Sequence, residues 1–99
     1  MTNVTVARNI LQQLGGHRFS AMTGSNAFAG DDMFLTFKIG HNEPGWTHCK
    51  ITLTAMDDYI VTFYKLRKSS IVKTKDIEGV YCDMLSDVFT SVTGLDTSL

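Results

Sequence analysis

Two runs of alternating side chains, separated by a very short polar turn, constrain the fold of this chain more than any other feature. Residues 49–55 alternate apolar residues with lysine and threonine, and residues 59–67 alternate again after Met-Asp-Asp at 56–58. A period of two is typical of β-strands with one buried face. Because parallel strands need a long crossover, so short a connection predicts an antiparallel hairpin. The inward residues of its first strand are predicted to be Cys49, Ile51, Leu53 and Ala55.

Three further segments complete the predicted sheet. Residues 33–39 alternate with the same period, and shorter runs at 17–22 and 71–76 predict a brief first strand and a short fifth strand. Residues 23–32 are interpreted as a connection, and Pro44-Gly45 marks a turn in the loop after the strand at 33–39. The inward residues of that strand are predicted to be Met33, Leu35, Phe37 and Ile39.

A helix is predicted near each end of the chain. At residues 3–14 the apolar positions recur at helical spacing, with Thr2 or Asn3 as the cap and Gly15 after the last turn. A second apolar stripe ends before Gly94, a residue type that commonly terminates helices. This C-terminal stripe comprises Val80, Tyr81, Met84, Leu85, Val88, Phe89 and Val92.

These elements predict one α+β domain over residues 1–99. Its expected architecture is an antiparallel sheet of four or five strands with the N-terminal and C-terminal helices packed on one face. Two helices cover only one face of such a sheet, so the other face is expected to be open and half polar.

The glycine-rich stretch at 14–32 invites comparison with a phosphate-binding loop. Such a loop needs lysine and a hydroxyl residue directly after its last glycine, followed by a helix. Here Asp31 and Asp32 follow Gly30, and their carboxylates would repel a phosphate. We therefore interpret Gly15 and Gly16 as a helix stop and the remainder as a strand connection.

No other constellation predicts catalysis or a cofactor. Ser20, Thr23 and Ser25 lie near His17 in sequence, but no activating third group accompanies them. The remaining histidines and the two cysteines lack the paired close spacing of zinc sites. We expect a non-enzymatic protein without metal or cofactor. The residues weighed as metal ligands are His41, His48, Cys49 and Cys82.

The cysteines and the N-terminus indicate where the chain resides. Cys49 and Cys82 are expected to be two buried small hydrophobic residues rather than a disulfide. The N-terminus has no basic segment followed by an apolar run, and no stretch has the roughly 18 apolar residues of a membrane span. We expect a cytoplasmic protein with no membrane partner.

The charges divide the chain into a basic body and an acidic end. Residues 1–75 hold nine basic and five acidic residues, a net charge of +4, whereas residues 76–99 hold five acidic residues and no lysine or arginine, a net charge of −5. Such asymmetry favours a charged partner surface.

The acidic end supplies the first candidate binding surface. Asp83 and Asp87 lie one turn apart on the predicted C-terminal helix, among small neighbours, and a flat negative face suits a basic partner protein. The alternative is an ordinary solvated helix face. The candidate protein-binding residues are Asp76, Glu78, Asp83 and Asp87.

A basic segment supplies the second candidate, a nucleic-acid interface. Aromatic rings stack on bases and cations neutralise phosphates. Tyr64 and Phe34 are predicted to project from the open sheet face alongside Lys38 and Lys50. The alternative is that edge lysines only block aggregation, and the sequence pI of about 6.2 is below the range of dedicated nucleic-acid binders. The candidate residues are Tyr64, Lys65, Arg67, Lys68, Lys73 and Lys75.

Three stretches carry a resemblance to a family of small, uncharacterised proteins of bacteriophages and mobile elements. They read ILQQLGGHRFSAMTGSNAF, ITLTAMDDYIVTFYKLR and EGVYCDMLSDVFTSVTGLDTSL, and together they span most of the chain. The chain departs from the family pattern at His17, where asparagine is more usual, and at Asp96, where an aromatic residue is more usual.

The resemblance implies a context rather than an activity. Small non-enzymatic proteins of mobile elements often bind host machinery, and some inhibit defence complexes as anti-CRISPR proteins do. The expected partner is therefore a protein or ribonucleoprotein complex of a bacterial host cell, with nucleic acid as the alternative. A homodimer through the open sheet face is compatible with either.

Overall fold

In the computed structural model, which describes residues 5–30 and 33–95, three α-helices lie on one face of a five-stranded antiparallel sheet. This is the predicted α+β architecture. The elements are α1 (Thr5–Leu14), α2 (His17–Thr23), β1 (Asn26–Gly30), β2 (Phe34–Lys38), β3 (His48–Leu53), β4 (Tyr59–Arg67), β5 (Ser70–Val80), a 3₁₀ turn (Cys82–Met84) and α3 (Leu85–Thr93). Thr2, Asn3, Val4, Asp31, Asp32 and Asp96, which figure in the predictions, lie outside the described residues.

The five strands form a meander in chain order, β1-β2-β3-β4-β5. The predicted alternation holds in β2, β3 and β4, where Leu35 faces Ile51, and Ile51 faces Val61 across the sheet. These side chains are buried beneath the helices, together with Phe37 and Phe63. The predicted inward positions fail only at the ends of the runs, since Met33 and Ala55 are exposed.

Helix α1 ends at the paired glycines, as predicted. Ala7, Ile10 and Leu14 are buried on one face of the helix. After Leu14 the backbone enters positive φ at Gly15 and Gly16 (125° and 60°). A residue with a Cβ adopts such angles at a cost, so glycine allows the chain to leave α1 and start α2 within two residues.

The predicted strand at 17–22 is wrong, because these residues form helix α2. Phe19 is fully buried, and the Thr23 hydroxyl one turn later donates to the Phe19 carbonyl at 2.8 Å. The helix ends at Gly24, whose N–H donates to the Ser20 carbonyl from a left-handed conformation. Alternation over six residues does not distinguish a strand from a helix that buries a single large side chain.

The predicted connection at 23–32 is also wrong in part, because residues 26–30 form strand β1. The segment is rich in asparagine, alanine and glycine, which strands disfavour. Its pairing with β2 is irregular, with a bulge between Asn26 and Ala29 and a positive φ of 57° at Ala27. Backbone pairing to β2, rather than local propensity, therefore makes this segment a strand.

The C-terminal helix is shorter than predicted. Val80 belongs to β5, and Tyr81 and Met84 are exposed, so the apolar stripe begins at Leu85. Gly94 ends α3 in a left-handed conformation with its N–H on the Thr90 carbonyl, as predicted. Among the helices of the described residues, none has the length and apolar character needed to cross a membrane.

The two cysteines differ in environment. Both are free thiols; Cys49 is buried, as predicted, whereas Cys82 is exposed on the 3₁₀ turn, which corrects the expectation that both are core residues. Complete desolvation raises the pKa of the Cys49 thiol far above its usual value, so this thiol stays protonated and behaves as a small apolar side chain.

Candidate functional site

The hairpin of β4 and β5 contains the longest run of exposed residues in the described structure, residues 67–76. Strand β5 is 11 residues long and lies at the edge of the sheet, and nine of those residues are exposed. The two strands are joined by Lys68 and Ser69, both at positive φ (52° and 68°). A two-residue turn with both residues in this region matches the right-handed twist of the flanking strands.

The register shows which backbone groups of β5 point away from the sheet. The N–H of Thr54 donates to the carbonyl of Asp58 at 2.9 Å, just beyond the paired ends of β3 and β4. In an antiparallel sheet, successive residues turn their backbone to opposite neighbours. Asp58 turns its backbone to β3, so alternate counting along β4 turns the backbone of Phe63 to β5. Its partner Lys75 therefore turns its own backbone to β4. The N–H and C=O groups of Thr74 and Asp76 therefore point outward at the sheet edge.

Three of the predicted basic residues lie on the helix side of the hairpin. Lys65 is directly opposite Lys73, and Lys75 is opposite the core residue Phe63. The ammonium of Lys73 lies 4.7 Å from the centre of the Trp46 ring, a cation–π distance. The lysines thus form a row across β4 and β5 at the margin of the helical layer. We call Lys65, Lys73 and Lys75 the lysine row.

The remaining members of the predicted nucleic-acid interface lie elsewhere. Arg67 and Lys68 are exposed at the tip of the hairpin. Tyr64 lies on the open face of the sheet, stacked on His48 with ring centroids 5.2 Å apart and an angle of 10° between the rings. The structure therefore places Tyr64 and the lysine row on opposite faces of the sheet.

The open face is half polar, as predicted, and its rings already have partners. The Lys50 ammonium lies 4.6 Å from the centre of the Phe34 ring, and His48 covers one face of Tyr64. Thr36, Thr52 and Thr62 lie between them and are half-buried. A base that stacked on this face of Phe34 would have to displace Lys50, the cation that would otherwise neutralise its phosphate.

The predicted acidic residues are all exposed but belong to two separate places. Asp76 lies on β5 opposite Thr62, which puts its side chain on the open side of the sheet. Asp83 lies in the 3₁₀ turn and Asp87 in the first turn of α3, both on the helical layer. Glu78 is also on β5. The four carboxylates therefore do not form one surface.

The hydroxyl groups near His17 have structural partners. The Ser20 hydroxyl donates to the carbonyl of Ser25 at 2.8 Å, and the hydroxyl oxygens of Thr23 and Ser25 are 2.6 Å apart. These bonds hold the turn between α2 and β1, where Thr23 and Ser25 are buried. The side chain of His17 lies outside the described part of the structure.

His48 provides a pH-dependent reporter of the open face. Desolvation, and secondarily the positive charge of Lys38, lower the pKa of His48 below its ordinary value of 6.5. We expect an NMR titration midpoint below that value. As the pH falls below about 6.5, the unfolded chain takes up this proton first, so native stability decreases until native His48 is protonated as well.

The variant Lys38→Gln separates the two causes of that shift. It should raise the His48 midpoint part of the way, because the smaller, charge-derived contribution is removed while the burial remains. A midpoint at or above 6.5 in the unmodified protein would contradict the described packing of His48.

The sequence pattern identified the charged residues but not the length or position of β5. The predicted fifth strand stopped at residue 76, whereas β5 continues to Val80. The missed signal is the spacing of Ile77 and Val80, which breaks the period of two because Gly79, at a φ of 68°, forms a bulge opposite β4.

No protein-family model, curated protein or solved structure matches this chain.

Proposed function

We propose that this protein is a non-enzymatic binding protein that acts by docking an extended segment of another protein on the edge of β5. The observation that carries the proposal is the exposure of nine of the eleven residues of an edge strand. Strands usually have about 5 to 6 residues, and natural edge strands are kept short because their unpaired backbone templates pairing with another chain. Peptide recognition by strand addition uses such an edge.

A protein partner is favoured over nucleic acid by the placement of the aromatic and basic groups. Tyr64 and the lysine row lie on opposite faces of the sheet, so no single strand of nucleic acid would contact both in the predicted manner. Phe34 and Tyr64 each have one ring face occupied. The net charge of −1 adds little long-range attraction for phosphates.

The resemblance to proteins of bacteriophages and mobile elements supports a partner within a host protein or ribonucleoprotein complex. In that setting, occupation of β5 would inhibit or recruit the host component. Asp83 and Asp87 on the helical layer remain the alternative contact, and the experiment below includes them.

The test blocks the sheet edge without breaking the sheet. Thr74→Pro removes an N–H that points away from β4, and proline is tolerated at such positions on edge strands. We expect the unmodified protein, tagged and incubated with bacterial lysate, to retain a discrete protein partner with or without nuclease. Thr74→Pro should lose that partner while its melting temperature stays within a few degrees of the parent.

Asp83→Lys with Asp87→Lys is the matched control on the other surface. Under the proposal it binds the partner as the unmodified protein does. Loss of binding in this double variant, with full binding in Thr74→Pro, would move the contact to the helical layer and overturn the proposal. Recovery that disappears after nuclease treatment would replace it with nucleic-acid binding.

A further inference from the structure

We propose that the segment accepted by β5 is an extended stretch of another protein with acidic residues two positions apart, and that it is not a second copy of this chain. This inference rests on the proposed function, because it names the chemistry of the partner at the same edge.

The spacing of the charges on β5 carries the first step. Lys73 and Lys75 are two residues apart, so their side chains project from the same face of the strand at a separation of about 7 Å. In a strand added to this edge, the residues opposite them lie on the same face, with Cβ atoms about 5 Å away. Carboxylates at two alternate positions of that strand would therefore each meet one lysine.

The surroundings of Lys73 add a second cation and one competing contact. Lys65 lies directly across from it on β4, so two cations share this position. The ammonium of Lys73 is held over the Trp46 ring at 4.7 Å, and the Trp46 ring itself is buried. This contact draws the ammonium towards β4, so pairing with a carboxylate on an added strand exchanges the cation–π contact for a salt bridge. An acidic strand would also relieve the repulsion within the lysine row.

The same charges disfavour pairing between two copies. If two copies of β5 pair antiparallel about a twofold axis, one central residue faces itself in the other copy. A residue that lies n positions before it then faces the residue that lies n positions after it in the other copy. When the register is centred on Thr74, Lys73 faces Lys75 of the other copy. When it is centred on Lys75 or Asp76, that residue faces the same residue of the other copy. Like charges directly opposite each other destabilise a strand pair. In these three registers the charges thus disfavour self-pairing and favour an acidic partner.

The experiment uses a displayed library of random peptides of about twelve residues, long enough to cover a strand of this length. Peptides are selected on the unmodified protein after depletion on Thr74→Pro. We expect the retained sequences to carry Asp or Glu at two positions separated by one residue. The affinity of a retained peptide should fall about tenfold or more in Lys73→Glu with Lys75→Glu, since two attractive pairs become repulsive.

Lys38→Glu with Lys50→Glu is the control with the same change in net charge. Both lysines lie on strands that precede the hairpin and outside the lysine row, so peptide affinity should change by less than about twofold, the scale of a screened distant charge. An equal loss in both double variants would show that only net charge matters and would overturn the specific pairing.

The remaining outcomes separate this inference from the proposed function. Retained peptides that need an unblocked edge but show no paired acidic positions would overturn the acidic partner and leave edge docking intact. If no peptide binds the unmodified protein in preference to Thr74→Pro, both the acidic partner and edge docking are overturned. A dimer of the unmodified protein in light scattering that dissociates in Thr74→Pro would overturn the exclusion of a second copy.

Discussion

The variant Phe19→Ala is expected to lower the free energy of unfolding by about 3 to 5 kcal/mol, the usual range for removal of a buried phenylalanine. Phe19 is 0% exposed and links α2 to the sheet and to α3. Its ring makes edge-on contacts with Phe37 and Phe89, at centroid distances of 5.4 and 4.9 Å. Truncation therefore removes the apolar contact area and leaves a cavity where three elements meet.

Urea denaturation followed by circular dichroism measures this loss. A domain of this size has a total stability of about 5 to 15 kcal/mol, so Phe19→Ala should shift the midpoint strongly and leave little margin at 37 °C. Phe28→Ala is the matched control, because Phe28 contacts the same Phe37 ring at 5.3 Å but is only partly buried. An equal or smaller loss in Phe19→Ala than in Phe28→Ala would contradict the described burial of α2.

The strands that the sequence predicted correctly are those with a long alternating pattern and a turn at both ends. Strands β2, β3 and β4 bury every second residue against the helices, so the pattern of Leu35, Ile51 and Val61 reflects the core directly. The match extends to the bounds of β4, whose predicted range of 59–67 is the observed one. Local alternation suffices where one face is buried and the other is not.

Segments α2 and β1 could not be predicted because contacts distant in sequence determine them. The chain turns between them where the backbones of Gly24 and Gly40 are in contact, and a Cβ on Gly40 would collide with the Thr23 carbonyl oxygen. This close approach sets β1 beside β2 although its residues disfavour strands. Nothing near residue 24 in the sequence reports that residue 40 lies against it.

The candidate site was predictable in its charges and not in its geometry. The lysines at 65, 73 and 75 stand out by composition alone, but the face on which each lies depends on the pairing register. The pairing is regular from Phe63 to Lys65, so Tyr64 and Lys65, as neighbours on β4, point to opposite faces, and Lys73 lies opposite Lys65. Grouping Tyr64 with the lysines by nearness in sequence therefore joined side chains that the sheet separates.

The second large effect is expected at a buried polar residue of the loop between β2 and β3. Asn42 is 5% exposed, and its side-chain amide organises that loop. The Nδ2 group donates to the carbonyls of Gly40 and Trp46, at 2.9 and 2.7 Å, and Oδ1 accepts the Trp46 N–H at 2.9 Å. We expect Asn42→Ala to lower the free energy of unfolding by about 2 to 4 kcal/mol, because each polar group left buried without a partner costs about 1 to 3 kcal/mol.

The same substitution should change the affinity of the proposed docking edge, because the Trp46 ring lies beneath the ammonium of Lys73. Trp46 is the only tryptophan of the chain, so its fluorescence reports both the unfolding transition in urea and any change in the folded loop. Glu43→Ala, at an exposed position of the same loop, is the control and should change the stability by no more than about 0.5 kcal/mol. If Asn42→Ala is as stable as Glu43→Ala, the loop does not depend on the amide. If it is less stable but holds an acidic peptide with unchanged affinity, the position of Lys73 does not depend on the order of this loop.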